Sequence, residues 1–173
     1  MNNETGTGNP TYGTPANPRP FIPMDIPAGS VVEVHGKYPF SHKSPFNIRI
    51  AGTVAQPVFI RGASPTDRPL AQRGWQVSGT YFIVENMEFG PDPDGANTGS
   101  CNFVAPVDHA ALRHNELHGT PTGGGGTGVS SFSDADWSRY VVIWDNFIHD
   151  NGDVNASFDQ DVHGVGVGAH TEH

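Results

Sequence analysis

The chain has 173 residues, enough for one domain, but only 35% of them are hydrophobic, and 22 glycines and 15 prolines indicate an all-β, turn-rich protein. No apolar stretch approaches the roughly 20 residues that span a bilayer, and a single cysteine, Cys101, excludes an intrachain disulfide. The formal net charge of −9 divides into +3 for residues 1–74 and −12 for residues 75–173, so neither half offers the clustered cations that a nucleic-acid partner requires.

Residues 1–20 are rich in Asn, Thr, Gly and Pro. This composition predicts a flexible N-terminal arm, because it buries little apolar surface. The same segment lacks the apolar centre of a signal peptide. We expect a secreted or cell-surface protein whose signal peptide is not part of this sequence, with one structured unit over residues 21–173.

From residue 21 onward, short β-branched or aromatic stretches alternate with breaks rich in Gly, Pro and Asp, which is typical of strands separated by turns. Segments 90–100 and 120–136 are predicted to be loops on one side of the fold, where loops often shape a binding cleft. No Asn-Gly or Asp-Gly pair joins two strands at hairpin length, which disfavours the alternative of an antiparallel sandwich or jelly roll. The predicted strands are Val31–Val34, Asn47–Ile50, Pro57–Ile60, Tyr81–Val84, Ala110–Leu112, Tyr140–Ile143 and Gly164–Val167.

An internal repeat relates these strands. Residues 141–149 align with residues 110–118 at a constant offset of 31, with apolar, Asn and His positions matched. Asn86 aligns with Asn115 at an offset of 29. Recurrence at this period predicts a solenoid whose alternate side chains point inward and stack between coils. Asn86, Asn115 and Asn146 are predicted to form a ladder at the turns, because Asn tolerates left-handed backbone and its amide can hydrogen-bond along the axis.

Three stretches of this pattern, Pro57–Gly62, Tyr81–Met87 and Ile143–Gly152, resemble right-handed parallel β-helix repeat proteins, over roughly residues 28–173. That superfamily includes pectate lyases, the chondroitinase B and alginate lyase group, polygalacturonases and phage tailspikes. The resemblance implies a right-handed parallel β-helix and an enzyme that cleaves an extracellular acidic polysaccharide by β-elimination. The alternative is a noncatalytic glycan-binding or structural β-helix, such as an adhesin, because this fold does not determine the chemistry.

Lyases of this fold commonly use an arginine or lysine as the base, which makes Arg113 a candidate here. His149, His163 and Asp161 complete the predicted catalytic set, because imidazole titrates near neutrality and a carboxylate can orient it.

The repeat also predicts two substrate-binding residues. At the offset of 31, His118 falls beside His149 and Trp144 beside Arg113, so stacked coils would bring each pair together. Trp144 and His118 are therefore the predicted substrate-binding residues, with the indole offering a flat face to a sugar ring.

Calcium is the expected cofactor, because lyases of this fold often hold a calcium ion on acidic residues. The predicted ligands are Asp150, Asp153, Asp159 and Asp161, whose oxygens in a Gly-containing segment are of the type calcium prefers. The segment lacks the EF-hand pattern, and the alternative is a solvated acidic surface.

The repeat places the strand equivalent to Ile143 at position 174, one past His173. We expect the coils to continue in a longer protein, or another chain to cover the last coil by self-association, because an uncapped coil exposes strand edges.

Overall fold

The structure, a computed structural model, is built from β-strands with no helix in the part of the chain it describes. None of the described segments is a helix that could cross a membrane. The described residues are 13–19, 22–38, 46–72, 74–91, 100–120, 125–130, 136–153, 155, 157, 162–169 and 171–172.

All pairings between the named strands are parallel, which confirms the predicted parallel β-solenoid. The strands are β1 Asp25–Pro27, β2 Val31–Val34, β3 Lys37–Tyr38, β4 Phe46–Ala51, β5 Val58–Gly62, β6 Leu70–Ala71, β7 Trp75–Glu85, β8 Glu88–Phe89, β9 Cys101–Arg113, β10 Glu116–His118, β11 Gly125–Ser130, β12 Ser138–Trp144, β13 Phe147–His149, β14 His163–Val167 and β15 Thr171–Glu172. Each of the seven predicted strands coincides with one of these.

The larger of the two sheets, which has 10 strands, bends within its long strands. Tyr81, His109 and Tyr140 occupy equivalent positions in β7, β9 and β12, with φ of 47°, 57° and 52°, which non-glycine residues adopt rarely. The buried apolar residues of β7 are Trp75 and Val77 before this bend, at odd positions, and Phe82 and Val84 after it, at even positions. The sheet therefore presents two faces, which meet at this first bend.

The solenoid has three faces. The first face contains β1, β4, the early halves of β7 and β9, β11 and β14. The second face contains β2, β5, the later halves of β7 and β9, and β12. The third face is the 5-stranded sheet, in the order β13-β10-β8-β6-β3. Successive coils thus place equivalent outward side chains in rows along the axis.

Inward side chains from the three faces fill the core. Trp75 of the first face meets Phe89 of the third at a ring-centroid distance of 5.0 Å, and Phe82 meets Phe103 at 5.1 Å, both edge to face. All four rings are buried. Burial of each large apolar side chain contributes about 1.5–3 kcal/mol, so stacked core rows fix which side chains point outward.

The offset of 31 residues is confirmed, because β12 pairs with β9 and β13 with β10 in that register. The offset of 29 is wrong by one residue: Val84 pairs with Leu112, an offset of 28. Asn86 therefore aligns with His114 and not with Asn115. Asn86 has a φ of 56° and His114 one of 57°, so this left-handed position forms a second bend, between the second and third faces.

The predicted Asn ladder exists, but it consists of Asn115 and Asn146 and does not include Asn86. Its first hydrogen bond is donated by the backbone of Met87. Asn115 Oδ1 accepts a hydrogen bond from Met87 N (2.9 Å), and Asn146 Oδ1 accepts from Asn115 N (3.0 Å). The Asn115 amide also donates to Val84 O and Arg113 O, at 3.1 and 2.9 Å. Buried polar groups need such partners, so the ladder fixes the angle between the second and third faces.

The prediction of a loop over 120–136 is wrong for Gly125–Ser130, which form β11 and pair with both β9 and β14. A Cβ at Gly126 would lie only 2.5 Å from Ile148 Cγ2. This close approach accounts for the glycine at this position of the strand.

The predicted arm falls mostly outside the described residues. Within it, residues 13–19 form a turn, with one antiparallel bridge between Thr14 and Asn17.

Candidate functional site

Polar side chains concentrate on the outward surface of the third face. The strands β8, β10 and β13 bury Phe89 and Leu117, while Ile148 packs against the core. Because side chains alternate along a strand, the residues on either side of these point outward. One outward row consists of Glu88, Glu116 and Phe147, and the next of Gly90, His118 and His149.

The predicted juxtaposition of His118 and His149 is confirmed. Their rings are stacked, with centroids 5.1 Å apart and planes inclined by 9°. The two side chains are 24% and 25% exposed, so one edge of each ring is open to solvent. Gly90 leaves room for His118, because a Cβ there would lie 3.2 Å from His118 Nε2. Phe147 stacks on His149 at a centroid distance of 4.1 Å.

Each histidine is bound to a glutamate of the preceding coil. His118 Nε2 lies 3.0 Å from Glu88 Oε1, and His149 Nε2 lies 3.2 Å from Glu116 Oε1. The same diagonal Glu–His pair therefore occurs twice along the axis. On its other side, His149 Nδ1 lies 2.9 Å from Asp150 Oδ2.

The surroundings of His149 favour its protonated form. The hydrogen bond with Asp150 raises the pKa of His149 above its usual value, partial burial opposes this, and the hydrogen bond with Glu116 adds to the rise. A carboxylate beside an imidazolium stabilises its charge. His149 is therefore a group that holds a proton at a higher pH than an ordinary histidine and can donate it.

A groove borders these pairs. It has a volume of about 390 Å³ and lies against the segment between β5 and β6. Arg68 of that segment donates from Nε to His114 O (3.1 Å) and from Nη1 to Glu116 Oε2 (3.4 Å). The groove is lined by Gly36, Asp67, Arg68, Pro69, Leu70 and Glu88.

Arg113 and Trp144 lie on the second face, across the second bend from the histidines. They occupy neighbouring positions of one row, as predicted. Arg113 Nε donates to Glu85 Oε2 at 2.8 Å, which commits its guanidinium to an ion pair. Trp144 is 58% exposed, and His114 contacts its ring edge to face at 5.0 Å.

The remaining predicted site residues are His163 and three aspartates. His163 begins β14 on the first face, in register with Gly125 of β11. Asp153 accepts a hydrogen bond from Asn155 N (2.9 Å). Asp159 and Asp161 lie outside the described residues.

Metal binding stays a prediction. In the part of the chain that the structure describes, no three His, Cys, Asp or Glu side chains are arranged to hold a metal ion. Two of the four predicted calcium ligands fall outside that part, so the calcium site stays untested. The lone thiol of Cys101 is buried, and this burial raises its pKa, which keeps it protonated and unreactive.

Sequence reasoning missed Glu88, Glu116 and Arg68. The two glutamates carried a usable signal, because they are 28 residues apart, which is the offset between the later halves of β7 and β9. It also missed a row of stacked rings at the first bend, where His109 lies 4.6 Å from Tyr81 and 4.5 Å from Tyr140.

No family model, curated protein or solved structure matches this chain. The fold defines the chain as a parallel β-solenoid repeat protein, and its function has to be argued from its own surface.

Proposed function

We propose that this chain is a glycan-binding β-solenoid whose third face, extended around the second bend by Trp144, binds a polysaccharide. The observation that carries this proposal is a set of exposed rings beside hydrogen-bonding side chains. Phe147 is 61% exposed and Trp144 58%. Aromatic faces pack against the apolar faces of sugar rings, while His149 and Glu116 can hydrogen-bond to hydroxyl groups.

A linear polymer fits this surface better than a single sugar does. The Glu–His pair occurs on two successive steps of the coil stack, first as Glu88 with His118 and then as Glu116 with His149. The groove by Arg68 prolongs this surface toward the preceding coils. Equivalent groups at the spacing of neighbouring strands, about 4.8 Å, offer repeated contacts to a chain lying along the axis.

The charges favour a neutral polysaccharide in the absence of metal. Asp67, Glu88, Glu116 and Asp150 surround this surface, and the arginine that reaches it is Arg68. A polyanion would meet more negative than positive charge there. An acidic polysaccharide would therefore need a cation such as calcium between it and the protein, which links the predicted cofactor to the predicted substrate.

Cleavage of an acidic polysaccharide by β-elimination is the second candidate function. It is favoured by His149, whose two ring nitrogens face Glu116 and Asp150 and which can therefore exchange protons. Arg113 is less suited to act as a base, because its ion pair with Glu85 stabilises its charged form. Both functions would belong to an exported protein.

Incubation with pectate, alginate, a glycosaminoglycan and a neutral β-glucan, each with and without calcium, tests both proposals. Retention of the neutral polymer without calcium is the expected result for binding. A rise in ultraviolet absorbance with calcium would establish elimination, and new reducing ends alone would indicate hydrolysis. If the folded protein retained none of the polymers, glycan binding would be ruled out.

Two aromatic variants locate the surface. Trp144→Ser and Phe147→Ser are each expected to weaken retention roughly tenfold, because each removes one ring contact. Tyr140→Ser is the matched control, since Tyr140 is 52% exposed on the same coil but lies at the first bend. Equal losses in all three variants would contradict the proposed location.

A further inference from the structure

Arg68 makes a contact that coil stacking alone does not produce. It lies between β5 and β6, yet it hydrogen-bonds to His114 O and Glu116 Oε2 at the start of β10. In the third face, β8 lies between β6 and β10. The side chain therefore crosses a whole coil to reach its partners.

This contact divides the two oxygens of Glu116. Oε2 accepts from Arg68, while Oε1 lies 3.2 Å from His149 Nε2. Glu88, the equivalent carboxylate one coil earlier, pairs with His118, and no arginine hydrogen bond to it occurs among the described residues. The two glutamates thus differ in that Glu116 has an arginine behind it.

The groups that face His149 are few. His118 stacks on one side of its ring and Phe147 on the other. Glu116 and Asp150 contact its two nitrogens. Glu88 acts through His118, and Arg68 acts through Glu116. Arg68 supplies the permanent positive charge among these groups, since guanidinium does not deprotonate in proteins.

We infer that Arg68 is a positioning residue that sets the orientation of Glu116 and, by sharing the charge of this carboxylate, limits proton binding at His149. The guanidinium draws part of the Glu116 charge away from His149 and sets the carboxylate orientation. Because Arg68 also lines the groove, a ligand that hydrogen-bonds to Arg68 changes how strongly Glu116 stabilises protonated His149. The inference rests on the proposed function only for that last step, in which ligand binding is linked to proton uptake.

Histidine titration by NMR tests the inference and needs no polysaccharide. In Arg68→Gln, Glu116 keeps its full charge for His149, so the His149 midpoint is expected to rise by roughly 0.4 pH unit. The control is Arg49→Gln, which breaks a surface ion pair with Asp25 that includes no histidine, and should leave His149 unchanged. An unchanged His149 midpoint in Arg68→Gln would overturn the inference.

A second measurement uses the unmodified protein and therefore does not depend on the variant folding. The Arg68 Nε–H resonance is expected to shift with the same midpoint as His149, while that of Arg49, which is paired with Asp25, is not. The absence of an inflection at Arg68 would refute the coupling. Either result is independent of glycan binding, because a protein that binds no polymer can still show the coupling, and the reverse also holds.

Discussion

The second and third faces both pair glutamates with basic side chains of a neighbouring coil, but the basic residue differs between them. On the second face, Glu85 lies directly opposite Arg113, with an ion-pair distance of 2.8 Å. On the third face, the partners of the glutamates are histidines, placed diagonally across the strands.

The identity of the positive partner explains the difference. Arginine stays charged at all relevant pH values, so the pair of Arg113 with Glu85 is a fixed structural contact. Histidine is the side chain that changes charge near neutrality, so the third face carries a pH-responsive group, His149. The same stacking therefore gives a structural row on one face and a chemically responsive row on the other.

The largest effect is expected from a variant that disrupts the turn between these two faces. Asn115→Ala removes a fully buried amide and leaves Met87 N without its acceptor. We expect the free energy of unfolding to fall by about 2–3 kcal/mol in urea titrations. Asn146→Ala, at the half-buried end of the ladder, is the control and should cost less. Equal losses of unfolding free energy in the two variants would mean that burial does not determine how much each asparagine stabilises the protein.

A smaller effect is expected within the row of the second face. Glu85→Gln removes the charged partner of Arg113, which is about one-third exposed and so can be rehydrated. The expected loss is about 1 kcal/mol, the same at pH 6 and pH 8, because no histidine takes part in this pair. Glu116→Gln should instead give a loss that differs between these two pH values. Urea unfolding of both variants at the two pH values measures these losses, and equal pH dependence in the two variants would contradict the difference between the rows.

The smallest effect concerns the pH dependence of stability through His149. Its pKa is raised in the folded state, so its stabilising contribution is complete below its ordinary pKa of about 6.5 and is lost as pH rises through the folded value. The stability advantage of the native chain over His149→Asn should therefore shrink from pH 6 to pH 8. Asp150→Asn removes the largest cause of the shift and should reduce this trend. A stability difference between the native chain and His149→Asn that grew from pH 6 to pH 8 would contradict the expected direction.

The repeat could be predicted where two coils match in their apolar, Asn and His positions, as in β12 and β13 against β9 and β10. It was placed one residue off at Asn86, because two adjacent positions of the second bend both suit asparagine. One requires left-handed backbone, and the next requires a side-chain amide. A single sequence does not distinguish these demands, and only the pairing of Val84 with Leu112 does so.

The site was predictable to the same extent. His118 and His149 follow from the repeat alone, since both belong to short strands at a constant offset. Arg68 does not, because its partners lie 46 and 48 residues away and are reached from an irregular segment. The strand β11 also escaped prediction, since Gly126 is required by the approach of Ile148 and not by strand propensity.

The reach of Arg68 also bears on how the molecule unfolds. In a solenoid each coil contacts only its neighbours, so opening can start at one end and spread stepwise. Arg68 connects the segment before β6 to β10, past the coil that contains β8. We therefore expect the three coils to open as one cooperative unit, with amide hydrogens of β8 exchanging no faster than those of β10.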